Sequence, residues 1–115
     1  MSTDCLFCRI ATDELPSTKL YEDDEVFAIR DIAPRAPTHI LLIPRRHIRS
    51  ALELTDTDGP MLGRLFEVAA DLARSEGVAH DGYRLISNVG RWGGQSVDHL
   101  HVHLMGGRAF KWPPG

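Results

Sequence analysis

The chain has 115 residues, 43% hydrophobic and 25% charged, which fits one domain spanning residues 1–115 with a core of its own. A formal net charge of −3 gives no broad attraction to nucleic acid or to an anionic membrane. No apolar run approaches the roughly 18 residues of a membrane span, so neither partner is expected.

The N-terminus M-S-T-D-C-L-F-C lacks the basic-then-apolar order of a secretory signal, so a cytoplasmic, reducing compartment is expected. The only two cysteines, Cys5 and Cys8, stand in C-x-x-C spacing, which points to metal or redox chemistry rather than a structural disulfide. Residues 4–12 predict a short helix ended before Pro16. Residues 18–22 and 25–31 predict a hairpin around Asp23-Asp24. Two prolines in Ala33-Pro34-Arg35-Ala36-Pro37 demand a loop. Thr38 to Ile43 predicts an apolar strand closed by Pro44, and Arg45, Arg46 and Arg49 read as a solvated basic turn. Met61, Leu62, Leu65, Phe66, Ala69, Leu72 and Ala73 recur at three- and four-residue intervals and line one face of a long helix. Asp56 or Asp58 can cap that helix, with Pro60 in its first turn and Gly77 as a left-handed stop. Tyr83–Asn88 predicts a strand, Val89–Gln95 a glycine-rich loop and Asp98–Met105 the last strand; the tail from Phe110 to Gly115 cannot continue a sheet. The order predicts an α+β domain, an antiparallel sheet of about five strands with one long and one short helix.

The last strand carries the chemistry. In H-L-H-V-H-L the alternation of a strand puts His99, His101 and His103 on one face and Leu100, Val102 and Leu104 on the other. Three imidazoles in register at intervals of roughly 7 Å are not explained by packing. His99 and His103, about 13 Å apart along such a strand, cannot ligate one ion together. A division of labour remains: one nucleophile, with neighbours that bind phosphate, support the site or hold a metal.

The run H-L-H-V-H-L-M, with E-D-D-E-V-F-A-I-R-D-I-A-P-R-A-P-T-H-I-L-L-I-P-R-R-H-I, G-G-Q-S-V-D-H-L-H-V-H-L-M-G-G-R and the terminal W-P-P-G, resembles the histidine-triad family, and its Hint-like branch, almost end to end. The resemblance implies a HIT-like fold and a purine nucleoside phosphoramidase activity. It implies that His101 attacks the α-phosphorus and forms a nucleotidyl-histidine that water hydrolyses. By the same resemblance His103 contacts the phosphate, His39 supports the active-site hydrogen bonds, and Ser96 supplies a hydroxyl near the leaving group. Gly94 and Gln95 belong to the phosphate loop and Asn88 contacts the nucleotide. Asp31 accepts from the ribose hydroxyls, Ile32 lines the base, and Phe7, Ile10, Leu15 and Ile29 form apolar walls of the purine pocket. Asp98 and Trp92 depart from the family pattern and are expected to alter the leaving-group side.

Relatives with a C-x-x-C pair bind a structural zinc ion, and the matching ligands are Cys5, Cys8, His47 and His99; unmetallated thiols are the alternative. No cofactor is implied for catalysis. The resemblance also implies a homodimer whose tail, with Trp112, reaches the partner's active site. Dinucleoside polyphosphate hydrolysis, and a nucleotide-binding or scaffold protein with little turnover, are the competing functions.

Overall fold

The computed structural model describes residues 4–115. Its elements are α1 (Leu6–Ala11), β1 (Lys19–Glu22), β2 (Val26–Arg30), β3 (Thr38–Pro44), α2 (Gly59–Ser75), β4 (Tyr83–Ser87) and β5 (Val102–Gly106), with two 3-10 turns at Ala51–Glu53 and Asp56–Asp58. The five strands form one antiparallel sheet in the order β1-β2-β3-β5-β4, so the expected α+β class holds. None of the described helices is long and apolar enough to cross a membrane.

The helix expected over residues 4–12 is shorter at both ends; the Cys5 thiol caps it by accepting the Cys8 N–H at 3.4 Å. The hairpin turn is built on Asp23, whose Oδ1 accepts from the Glu25 and Val26 N–H groups, each at 2.8 Å. Strand β3 is buried along its whole length because it is covered on both faces. Ile40 and Leu42 join Val26, Ala28, Val102 and Leu104 under α2. Leu41 and Ile43 join Phe27 and Ile29 under Phe7 and Ile10 of α1. The sheet therefore presents one face to each helix, and the α1 face is the one that bears the cleft.

Helix α2 starts at the expected place. Asp58 precedes it, accepts the Thr55 N–H at 2.9 Å and pairs with Arg46, and Gly77 follows its end at φ +76°. Its buried residues are Leu65, Val68, Ala69 and Ala73, while Phe66 is half exposed. The expected stripe is thus corrected: the buried line runs through 65, 69 and 73, and Phe66 stands about 100° around the helix from Leu65.

Two further readings are corrected. Of the basic turn, Arg46 and Arg49 are exposed as expected, whereas Arg45 is not a solvated charge. Arg45 donates to the Asp23 carbonyl at 2.6 Å, to the Ala11 carbonyl at 2.8 Å and to Glu22 at 2.8 Å, so it ties α1 to the hairpin. The last strand covers Val102–Gly106 only, leaving His99 and His101 in the segment before it. The register places Val102 opposite Leu42, so the next ladder positions fall on Ile43 and Pro44, and proline has no N–H to donate. Leu100 instead donates its N–H to the Ile48 carbonyl at 2.6 Å.

Candidate active site

On the α1 face lies an open cleft of about 880 Å³. Phe7, Ile10, Leu15, Ile29, Asp31, Ile32, Ser96, His101 and His103 line it. Ile32 stands fully exposed at its rim. Sequence reasoning missed Leu6, Pro16, Ser17, Thr18, Leu41 and Val97, which line the same cleft. Leu41 could have been found, since it alternates with the α2-facing residues of β3. Leu6 comes from the first turn of α1, and the others arrive through loops.

Four imidazoles have their proton positions fixed by the chain. His101 is 4% exposed, and its Nδ1 lies 2.8 Å from the His99 carbonyl. A carbonyl only accepts, so Nδ1 carries the proton and Nε2 keeps its lone pair. His99 is held the same way through Nε2–H to the Pro44 carbonyl at 2.7 Å, which leaves its Nδ1 as the lone-pair nitrogen. His39 is fixed by a donor: the Arg35 N–H reaches its Nδ1 at 3.0 Å, so its proton sits on Nε2. That Nε2 lies 2.9 Å from His103 Nδ1. His103 therefore accepts on Nδ1 and carries its own proton on Nε2, which meets no protein partner among the described residues. The His101 and His103 rings are 5.1 Å apart, and Phe7 stands edge-on to His101 at 5.1 Å.

Burial, followed by the neighbouring His101 and His39, holds His103 down at about 4. Burial also lowers His39, against the pull of Asp31, and lowers His99. At neutral pH the His39–His103 pair is thus an uncharged hydrogen-bond chain. Asp31 Oδ1 accepts the Ala33 N–H at 2.8 Å, and Oδ2 lies 3.4 Å from His39 Nε2. Asp31, His39 and His103 converge closely enough to suggest a metal site. An ion on His39 Nε2 would force the proton onto Nδ1, against the Arg35 N–H, so this trio is better described as a proton-ordered network.

The lining of the cleft includes Ser96, next to the loop from Asn88 to Gln95, and the loop's own side chains bond main-chain groups. Asn88 donates to the Gly93 carbonyl at 2.7 Å. Gln95 accepts from the Gly90 N–H at 2.9 Å and donates to the Arg49 carbonyl at 2.7 Å and the Val97 carbonyl at 3.0 Å. Both amides hold the loop in shape, and Gly94 enters it at φ +79°. A Cβ at Gly93 would run into the Val89 carbonyl, so that glycine serves the turn. Asp98 points to Arg49 at 3.7 Å, away from the His101 cleft. Trp92 is almost fully exposed.

Cys5, Cys8, His47 and His99 bring one ligand atom each to within 4.8 Å of one another. The measured edges are Cys5 Sγ–His99 Nδ1 3.2 Å, Cys8 Sγ–His47 Nδ1 3.4 Å, Cys8 Sγ–His99 Nδ1 3.6 Å and His47 Nδ1–His99 Nδ1 3.2 Å. A tetrahedron built on Zn–S of about 2.3 Å and Zn–N of about 2.0–2.1 Å has N–N and N–S edges of about 3.3 and 3.5 Å. The donors fit. Burial and the adjacent Cys5 push the Cys8 thiol up to about 11, so a metal must displace its proton.

Against known proteins, the HIT domain family profile matches residues 12–110. The purine nucleoside phosphoramidase of Escherichia coli is 49% identical over 108 residues, covering 94% of this chain and 91% of that protein. An uncharacterized HIT-like protein of Synechococcus elongatus is 47% identical over the full length of both chains. The crystal structure of a HIT family hydrolase from Legionella pneumophila superposes with a TM-score of 0.95 at 48% identity, covering 97% of this chain and all of that one.

Proposed function

This chain belongs to the HIT domain family and is an enzyme of it, and on that premise we propose that it hydrolyses nucleoside 5′-phosphoramidates through a covalent nucleotidyl-histidine on His101. The observation that carries the reading is the 2.8 Å bond from His101 Nδ1–H to the His99 carbonyl, which leaves the Nε2 lone pair as the one reactive group of a ring bordering the cleft.

In the first step that lone pair forms the N–P bond as the P–N bond to the amine breaks. The amine leaves with a proton that the Ser96 hydroxyl, on the cleft wall, is placed to pass from solvent. The His101 ring, now positively charged, keeps its Nδ1–H on the His99 carbonyl. In the second step water attacks phosphorus and releases a proton to solvent, the P–N bond to His101 breaks with its electron pair returning to Nε2, and the nucleoside monophosphate departs with the ring neutral again. The His103 Nε2–H donates to a phosphate oxygen throughout, as a neutral donor. Asp31 Oδ2 accepts from the ribose, and Phe7, Ile10, Leu15 and Ile29 hold the purine on an apolar surface offering few base-specific groups.

Zinc belongs to the same reading, held by Cys5, Cys8, His47 and His99; when bound it supplies a structural clamp and no reaction step. So does a homodimer, supported by the exposed Phe66 and Trp112 and by the position of β4 at the sheet edge.

The test is adenosine phosphoramidate, quenched in acid-free denaturant during turnover and mapped by mass spectrometry. An AMP adduct on His101, absent in His101→Ala while that variant still binds AMP, is expected. An adduct elsewhere, or near-normal kcat in His101→Ala, would sink the mechanism.

A further inference from the structure

The proton order of the neutral His39–His103 chain is set by the Asp31 carboxylate, 3.4 Å from His39 Nε2, and by the N–H of Arg35, a residue whose backbone is held from outside the cleft. Arg35 N–H donates to His39 Nδ1 at 3.0 Å. The carbonyl of the same residue receives two bonds from Arg108, from Nε at 3.1 Å and from an Nη2 at 3.0 Å. Apart from Asp31 and His39, which flank this loop, Arg108 is the only side chain among the described residues that hydrogen-bonds residues 32–37. The guanidinium is itself held flat by Phe110, 4.3 Å from the ring centroid, and Arg84 lies over the same ring at 5.1 Å. Gly107 makes the turn that returns the chain to this loop: it sits at φ +90°, and a Cβ there would come within 2.8 Å of Pro37.

We infer that Arg108 is a positioning residue, fixing the backbone of Arg35 through the carbonyl on the far side of its Cα so that His39 keeps its proton on Nε2 and His103 keeps its own on the nitrogen facing the phosphate. The inference rests on the proposed reaction for its kinetic consequence, and on geometry alone for the tautomer. If the Arg35 backbone, released by Arg108, turns about its Cα, His39 Nδ1 loses its donor and can take the proton itself. His39 Nε2 then becomes an acceptor, His103 must turn its Nδ1 into the donor, and the lone pair of His103 Nε2 faces the phosphate oxygens. Donor becomes repeller without any change in a residue that touches substrate. A planar fork that bonds one carbonyl twice is specific to arginine; lysine offers a single mobile donor.

The test compares wild type, Arg108→Ala and Arg108→Lys, each with ¹⁵N-labelled histidine, by long-range ¹H–¹⁵N correlation at neutral pH. Wild type is expected to show one His39 species, protonated at Nε2. Arg108→Ala is expected to show a second tautomer of both His39 and His103, with kcat for adenosine phosphoramidate down about tenfold and KM within about twofold; Arg108→Lys falls between. Unchanged tautomers in Arg108→Ala overturn the inference, and a lower melting temperature with unchanged tautomers does so equally, since Arg108 would then be structural only. Should Arg108→Ala fail to fold, Arg108→Lys and Phe110→Ala carry the same comparison, and unchanged tautomers in both overturn it. If wild type does not turn over, the proposed reaction fails, while the tautomer comparison still decides the role of Arg108.

Discussion

Holding His103 neutral has a cost that acid should expose. Its ordinary value of 6.5 applies to the unfolded chain, whereas the folded protein holds it at about 4. Between those values the unfolded chain binds a proton that the folded protein refuses, so stability is complete above 6.5 and is lost as pH falls toward 4. At pH 4.5 the loss from this one ring works out at about 2.5 kcal/mol relative to pH 8. Urea unfolding of wild type and His103→Gln at both pH values tests it, because contributions common to the two proteins, from His99 and any metal released by acid, cancel in the difference, and the Gln amide can still accept the His39 N–H. Wild type should lose about 2.5 kcal/mol more than the variant between pH 8 and 4.5. Equal losses, within about 0.5 kcal/mol, would mean that His103 is not desolvated as described and that the neutral-donor argument fails with it.

Asp31→Ala should raise KM for adenosine phosphoramidate about tenfold with kcat little changed; a steady-state titration showing unchanged KM would remove Asp31 from the ribose. Protein purified without chelator should carry close to one zinc per chain by elemental analysis, and Cys8→Ser should lower both the metal content and the melting temperature, whereas less than about 0.2 zinc per chain in reduced protein would argue against the site. Asp23→Ala removes an acceptor of two backbone N–H groups and the partner of Arg64, and should cost about 2 kcal/mol in chemical denaturation without altering kcat.

What could be read from the sequence was whatever repeats locally. The unbroken apolar run of β3, the three- and four-residue spacing of α2 and the turn residues around Asp23 each depend on near neighbours, and each element formed where expected. Histidines at every second position pointed to the cleft because His101 and His103 do lie on one side of the sheet. The readings that failed depend on partners far along the chain. The strand stops at Val102 because Pro44, 58 residues earlier, lies opposite the next positions. Arg45 looked like a solvated charge, and nothing near it in sequence announces the Ala11 carbonyl. Asn88 and Gln95 also bond main-chain groups, of Gly93 for the first and of Gly90, Arg49 and Val97 for the second, contacts that a motif does not encode. Pro16, Ser17, Thr18 and Val97 enter the cleft from irregular segments, where no periodicity assigns a face.

The same distinction explains why counting histidines could not assign their work. All six are chemically one residue, and the sequence offers no reason for one ring nitrogen to differ from the other. The difference is made by main-chain groups: the His99 carbonyl takes the proton side of His101, the Pro44 carbonyl takes that of His99, and the Arg35 N–H takes the lone-pair side of His39. Each bond removes one nitrogen from play and defines the other, so His101 is left a lone pair, His103 a donor and His99 a ligand atom turned toward two thiols. The consequence is that His99 is doubly committed. Its ring meets Cys5 and Cys8 while its carbonyl orients His101, so a disturbance of the Cys5–Cys8–His47 cluster that moved the His99 backbone would also move the proton that keeps His101 Nε2 bare. On the proposed reading, side-chain identity at 99 sets metal content, whereas backbone position at 99 sets the nucleophile, and the two are separable only by a substitution that removes the ring while leaving the carbonyl in place.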